Sequence, residues 1–265
     1  MSIEKNKSQN ASHSNSAIII MAGGLGKRMN SELPKVLHYI NDVPMIVKII
    51  RETLLLSPMR IFVVVGKYRD IIEYTINQFI PNERRIEYVL QNVALGTAHA
   101  IKCCLPRLLF YQNFYINYNV LILSGDVPLI SANSMRIMLS ELNDARIMTT
   151  TLENPHGYGR IIKSSDGVFQ KIVEEKHCTE EERLCKNVNT GIYAFKAYML
   201  CEYIPLITQD TTSQCEFYLT DIVQIIKEYE NVNIETIEIP SEKQYEVIGV
   251  NTSEQLEYLS SISQL

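Results

Sequence analysis

Three glycines fall within four residues at Gly23, Gly24 and Gly26, and two cations follow them, Arg28 and Lys35. Such a run lets backbone amides approach phosphate oxygens where any side chain would block them, and the cations add charge that a triphosphate needs. Pro34 fixes the backbone immediately before Lys35 and so helps to aim its ammonium. A plain strand-to-helix turn would account for the glycines alone, but not for glycines, arginine and Pro-Lys together. Two common phosphate loops fit poorly. A dinucleotide fingerprint needs glycine where Met29 stands, and a P-loop needs Ser or Thr where Arg28 follows Gly26-Lys27. A second chemical signal is Asp126, a hard oxygen ligand of the kind Mg²⁺ takes, placed just after the apolar run Val120 to Leu123.

These residues need elements to hold them. Ala17 to Met21, Ile61 to Val65, Ile86 to Leu90 and Val120 to Leu123 read as strands. Between them, Pro44 suits a first helical turn, with Ile46, Ile49, Ile50 and Leu54 at helical spacing after it. Ile71, Ile72, Thr75, Ile76 and Phe79 form a second such stripe, and Thr97 is placed to cap a third helix through Leu105. Apolar strands separated by helices predict an α/β fold, a mostly parallel sheet covered on both faces, with its cleft at the carboxyl ends of the strands. After about residue 150 the pattern shifts to shorter strands, Gly159 to Lys163, Phe169 to Val173 and Val188 to Phe195, with a turn at Asp166-Gly167. This predicts a smaller sheet-rich lobe. A helix near Leu219 to Tyr229, a strand at Ile234 to Ile239 and a helix from Ser253 follow.

The chain has 265 residues, 46% of them hydrophobic, and a formal charge of −5. That balance argues against a general nucleic-acid binder, which grips phosphates through clustered Lys and Arg. Residues 1–16 read as a disordered tail, and 17–265 as one domain with halves at 17–150 and 151–265. No apolar run has the length of a membrane span. Six cysteines without framework or metal-ligand spacing fit reduced thiols and a cytoplasmic protein.

In order along the chain, MAGGLGKRM, SELPKVLH, LGTAHA, SGDVPLI, NPHGYGRI, IVEEK, NTGIYAF, EFYLTDI and GVN resemble the sugar nucleotidyltransferases. Within that family the sequence closely resembles the uridylyltransferase domain of bacterial N-acetylglucosamine-1-phosphate uridylyltransferases. The resemblance implies a Rossmann-like nucleotide-diphospho-sugar transferase fold with a sugar-binding lobe. It implies transfer from UTP to N-acetylglucosamine 1-phosphate, with Arg28 and Lys35 as catalytic cations and Mg²⁺ held by Asp126 and Asn251. Ala22, Gly23, Gly24, Gly26, Gln91, Gly96 and Thr97 would bind the nucleotide, Gln91 and the 95–97 turn at the uracil edge. Gly157, Glu174, Asn189, Tyr218 and Thr220 would surround the sugar.

The sequence departs from the family at Ala94, where a second glutamine is usual, at Ser124, where tyrosine is common, and at Lys27, where threonine is common. Another sugar 1-phosphate or nucleotide, or a sugar-nucleotide sensor without turnover, would use the same framework. No hexapeptide repeats of the relatives' acetyltransferase domain are present, so acetyl transfer is not expected, and the oligomeric state, monomer or dimer, is open.

Overall fold

The computed structural model describes residues 14–24, 29, 31, 33–115, 117–210, 215–229, 232 and 234–263. The chain opens with β1 (Ser14–Met21) and reaches a short 3-10 turn at Lys35–Leu37. A small hairpin of β2 (Tyr39–Ile40) and β3 (Val43–Pro44) then leads into α1 (Met45–Leu54). Asn41 and Asp42 both have positive φ, at 50° and 62°, as a two-residue hairpin turn of matching twist requires. Next come β4 (Pro58–Val65), α2 (Arg69–Phe79), β5 (Ile86–Leu90), α3 (Thr97–Gln112), β6 (Asn119–Ser124) and α4 (Ala132–Leu139). The second half contributes β7 (Ala145–Thr151), β8 (Arg160–Lys163), β9 (Phe169–Val173), α5 (Glu180–Arg183) and β10 (Asn187–Lys196). It ends with α6 (Ala197–Tyr203), α7 (Asp221–Tyr229), β11 (Glu235–Glu238) and α8 (Ser253–Ile262).

One sheet runs in the order β11-β7-β10-β6-β1-β4-β5, with β8 and β9 attached through β10. Pairings β1–β4, β1–β6, β4–β5 and β7–β11 are parallel, and β10 lies antiparallel between β6 and β7. Successive residues of β1 point to opposite faces, and both faces are covered. Ala17 and Ile19 pack with Ile101 and Leu108 of α3, Leu200 of α6 and Ile222 of α7. Ile18 and Ile20 pack with Ile46 and Ile50 of α1, Ile72 of α2 and Met135 of α4. Each such fully buried isoleucine contributes roughly 1.5 to 3 kcal/mol relative to exposure. This is why β1 tolerates no alternation of polar residues.

The chain moves from β1 to β4 and β5 on one side, then returns with β6 on the other. The region just outside the carboxyl ends of β1 and β6 is therefore the switch point at which open α/β sheets bind ligands.

Several expectations need correction. β1 begins at Ser14, paired with Pro58, three residues inside the segment expected as a tail. Thr97 does not cap α3: Gly96 holds the N-cap, and the helix continues past Leu105, through Pro106, to Gln112. β7 was not expected at all, and it lies beside β10 in the main sheet. Consequently β10 is a central strand, and only β8 and β9 leave the main sheet as a small antiparallel layer.

Candidate active site

At the switch point β1 and β6 are in register, Met21 opposite Ser124. The Gly125 amide donates to the Met21 carbonyl at 2.9 Å, and the Ala22 amide to the Val64 carbonyl at 2.8 Å. A side chain at Gly125 would stand 2.8 Å from the Met21 oxygen, so only glycine lets the two strand ends approach this closely. Ala22 is buried, Gly23 half-buried and Gly24 exposed. Gly26, Lys27 and Arg28 lie outside the described residues.

Lys35 stands at the start of the 3-10 turn after Pro34, whose neighbours Val36 and Leu37 are buried in the core and anchor the turn. Its ammonium donates to Asp126 Oδ2 at 2.5 Å and to Asn251 Oδ1 at 2.7 Å. The second oxygen of Asp126 accepts from Ser124 Oγ at 2.6 Å. Asn251 precedes the Thr252 cap of α8, and Gln255 Oε1 accepts from both the Asn251 and Thr252 amides, at 2.6 and 3.1 Å. The Val250 amide donates to the Asp126 carbonyl at 2.8 Å, tying this segment to the end of β6. Val250 and Leu259 of α8 pack with Met29, Ile40 and Met45, which clamps α8 over the hairpin. Asp126 and Asn251, 91 and 216 positions from Lys35, thus meet on its ammonium.

The side chains of Asp126 and Asn251 therefore present oxygens that converge on one cation. This is the donor set expected for a hard divalent ion that keeps much of its water. By that chemistry the two predicted metal ligands fit Mg²⁺.

Toward β5, Gln91 is only 5% exposed, and its side-chain amide nitrogen lies 3.1 Å from the Gly96 carbonyl and 3.0 Å from His99 Nδ1. A Cβ at Gly23 would stand 2.9 Å from Gln91 Oε1, so the amide oxygen faces the glycine loop. Gly96 has φ +100°, and a Cβ there would lie 2.5 Å from the Phe217 carbonyl oxygen. The 95–98 segment zips onto the strip that follows residue 215. Phe217 donates to the Leu95 carbonyl at 2.8 Å and accepts from the Ala98 amide at 2.9 Å. Thr97 Oγ1 accepts from the Leu219 amide at 2.9 Å.

Beyond Asp126 opens a cleft of about 710 Å³. Thr97, Asp126, Gly157, Glu174, Asn189, Tyr218, Thr220 and Asn251 line it, so every predicted sugar residue and both predicted metal ligands share one cavity. Ala22, Gly23, Gly24, Gln91 and Gly96 are not among the residues that line it. Thr220 Oγ1 donates to Glu174 Oε1 at 2.8 Å. Asn189 Nδ2 donates to Tyr193 at 2.6 Å, while its Oδ1 accepts from the Gly191 amide at 3.1 Å. Lys176 donates to the Tyr218 hydroxyl at 2.8 Å and to Asp210 at 2.9 Å, with its ammonium 4.2 Å from the Tyr218 ring centre. Burial, and then the carboxylates of Glu174 and Asp210, push the Asp221 carboxyl up.

Sequence reasoning missed four contributors. Tyr158 lines the cleft, and burial followed by the charge of Asp126 pushes its hydroxyl up, against a hydrogen bond from the Gly249 backbone. Arg160 is 2% exposed and pairs with Glu175 at 2.7 Å, and Glu175 accepts from the Gly157 amide at 3.3 Å. Buried cations need such partners. An arginine among apolar strand residues, at 160, was the signal available. His99, at 3.0 Å from Gln91, was the fourth and stood within the quoted LGTAHA.

Comparison with known proteins gives this geometry a family. Residues 17–240 match the nucleotidyl transferase family. A protein of Acanthamoeba polyphaga mimivirus, named "Probable UDP-N-acetylglucosamine pyrophosphorylase", is 42% identical over 252 residues, 93% of this chain and 95% of that protein. The bifunctional protein GlmU of Gloeothece citriformis is 34% identical over 244 residues, 91% of this chain but 50% of that protein, so the chain spans about half its length. Among solved structures, a UDP-glucose pyrophosphorylase complexed with UDP-glucose superposes with TM-score 0.70 at 16% identity, covering 94% of this chain and 98% of that one, a likeness of fold. With a glycine loop, a cation and two converging oxygens at the sheet's switch point, and with these matches over nearly its whole length, the chain belongs to the nucleotidyl transferase family.

Proposed function

We propose that this chain transfers a uridylyl group from UTP to N-acetylglucosamine 1-phosphate, giving UDP-N-acetylglucosamine and pyrophosphate. The observation that carries the assignment is the meeting of Lys35, Asp126 and Asn251 between the Gln91 side and the Glu174–Asn189 side. The name of the mimivirus relative supports the choice of substrates.

In this account Gly23 and Gly24 give the triphosphate backbone contact, and Gln91 with Gly96 meets the base. Lys35 and Arg28 neutralise phosphate charge. Glu174, Asn189, Gly157, Tyr218 and Thr220 orient the sugar. A phosphate oxygen of the sugar phosphate forms a bond to the α-phosphorus in line, the bond from that phosphorus to the bridging oxygen breaks, and pyrophosphate departs with the electron pair. The attacking phosphate is already ionised, so no strong base is needed; positioning and charge stabilisation carry the rate. Mg²⁺, when held by Asp126 and Asn251, supplies charge neutralisation on the phosphate oxygens.

No helix among the described residues is long and apolar enough to cross a membrane, and all six cysteines are free thiols. Both fit a protein working on soluble phosphates in a reducing cytoplasm.

Mass spectrometry of the product tests the assignment. Incubation with UTP, N-acetylglucosamine 1-phosphate and Mg²⁺ is expected to yield UDP-N-acetylglucosamine with one pyrophosphate per molecule, and Asp126→Ala should abolish it. Product formed at the wild-type rate by Asp126→Ala would contradict the site. Absence of product from the wild-type protein would contradict the reaction.

A further inference from the structure

A carboxamide is nearly symmetric in shape, and its two ends have opposite hydrogen-bonding character. A glutamine free to turn end for end can meet the N3–H of uracil with its oxygen, or the bare N3 of cytosine with its NH₂. It then discriminates poorly between them. What fixes the amide is therefore what fixes the choice of pyrimidine.

In this chain the amide is fixed twice. Gln91 Nε2 donates to the Gly96 carbonyl at 3.1 Å, and a carbonyl can only accept, so the nitrogen must face that way. The same nitrogen stands 3.0 Å from His99 Nδ1. Because an amide nitrogen can only donate, Nδ1 is the accepting atom and the imidazole proton sits on Nε2. Both Nε2 hydrogens are then engaged, and Oε1 is the atom turned toward the glycine loop, where a Cβ on Gly23 would stand 2.9 Å from it. His99 is itself held. It lies in the first turn of α3, and its ring stacks on Phe217 with centres 6.2 Å apart and planes 29° apart.

We infer that His99 is a positioning residue which, with the Gly96 carbonyl, locks Gln91 as an acceptor-only reader of the base and so selects pyrimidines bearing N3–H over cytosine. The inference rests on the placement of Gln91 at the base under the proposed function. A locked oxygen accepts the N3–H of uracil or thymine, while the unprotonated N3 of cytosine sets lone pair against lone pair. The device reads N3 and not the 5-methyl group. It therefore separates UTP from CTP and leaves the choice between UTP and dTTP to other contacts.

The test measures kcat/KM for UTP, CTP and dTTP with N-acetylglucosamine 1-phosphate in the wild-type protein and three variants. His99→Phe keeps the stack on Phe217 and lacks the acceptor. His99→Ala, smaller than the ring it replaces, lacks the acceptor without overfilling the site. His99→Asn carries an acceptor on the equivalent carbon. The UTP to CTP ratio is expected to fall about tenfold in the first two, the worth of one hydrogen bond of about 1.4 kcal/mol, and to hold in His99→Asn. The UTP to dTTP ratio should hold in all three. An unchanged UTP to CTP ratio in His99→Phe or His99→Ala at normal thermal stability overturns the inference, as does an equal fall in both ratios, which marks general loosening. Wild-type protein that uses UTP and CTP equally overturns the inference alone and leaves nucleotidyl transfer standing. Wild-type protein with no turnover of UTP defeats the proposed function and the inference with it.

Discussion

Lys35 is poised between two oxygens that arrive from distant parts of the chain, 2.5 Å from Asp126 and 2.7 Å from Asn251. A cation that acts mainly as charge develops in the transition state contributes roughly 3 to 4 kcal/mol, so Lys35→Ala is expected to lower kcat about 10²- to 10³-fold. Steady-state kinetics beside a thermal melt checks this, and a matching collapse in melting temperature would instead mark Lys35 as structural. Lys35→Arg should recover little, since a planar guanidinium does not replace a compact ammonium between two converging oxygens. On the proposed sugar side, Glu174 Oε1 accepts from Thr220 at 2.8 Å, and the proposed function assigns its other oxygen to the sugar. Glu174→Gln should raise KM for the sugar phosphate about tenfold, the worth of one hydrogen bond to a charged group, and leave KM for UTP unchanged. At this scale Lys35 and Asp126 were legible from residue type and neighbours. Asn251 and the sugar residues became legible only through ordered resemblance, because a lone Asn or Tyr carries no chemical signature until its partners are in place.

Among elements, the 95–98 segment and the strip at 217–219 are hydrogen-bonded into one unit, which joins the proposed base side to the proposed sugar side. Its tightest point is Gly96, with φ +100° and a would-be Cβ 2.5 Å from the Phe217 oxygen, whereas Gly167, with φ +82°, has open space. Gly167→Ala should cost about 1 kcal/mol of backbone strain, and Gly96→Ala clearly more, as urea denaturation of the two variants would show. Under the Gly157 loop, Arg160 is 2% exposed and pairs with Glu175, so Glu175→Ala, which leaves a buried guanidinium without its carboxylate, is expected to cost about 3 to 5 kcal/mol in a denaturant melt. Burial pushes the Glu175 carboxyl up, but its hydrogen bond to Arg160 and the arginine's charge outweigh this and hold it below the usual carboxylate value. Stability from a depressed carboxyl is complete above the usual value and is lost as pH falls through the depressed one. Wild-type protein should therefore lose stability more steeply than Glu175→Gln below about pH 4 in denaturant titrations at stepped pH. Strand period and apolar runs made β1, β4, β5 and β6 legible. β7 was not, because Thr149 and Thr150 are buried at its end, where polar side chains mask the apolar run. The length of α3 was missed because Pro106 reads as a stop, yet the helix passes through it.

For the whole molecule, the decisive feature is that β1 and β6 pair side by side at the switch point of the sheet while β10 binds the halves together. It pairs with β6 and β7 in the main sheet and with β8 in the small layer. We expect one unfolding transition, with far-ultraviolet and tyrosine signals coinciding, rather than separate melting of 17–150 and 151–265. The parallel half of the sheet and its cleft followed from pattern, but the antiparallel insertion of β10 did not, since pairing between strands distant in sequence leaves no local periodicity. Because the net charge is −5, the proposed anionic substrates would depend on local cations such as Lys35, which stands against Asp126 and Asn251 at the cleft. The most direct measurement is pyrophosphate release with Mg²⁺ for UTP, dTTP, GTP, CTP and ATP against N-acetylglucosamine 1-phosphate, glucose 1-phosphate and mannose 1-phosphate. The account predicts turnover dominated by UTP with the N-acetylated sugar phosphate; equal or faster turnover with another pair, or none with any, would contradict it.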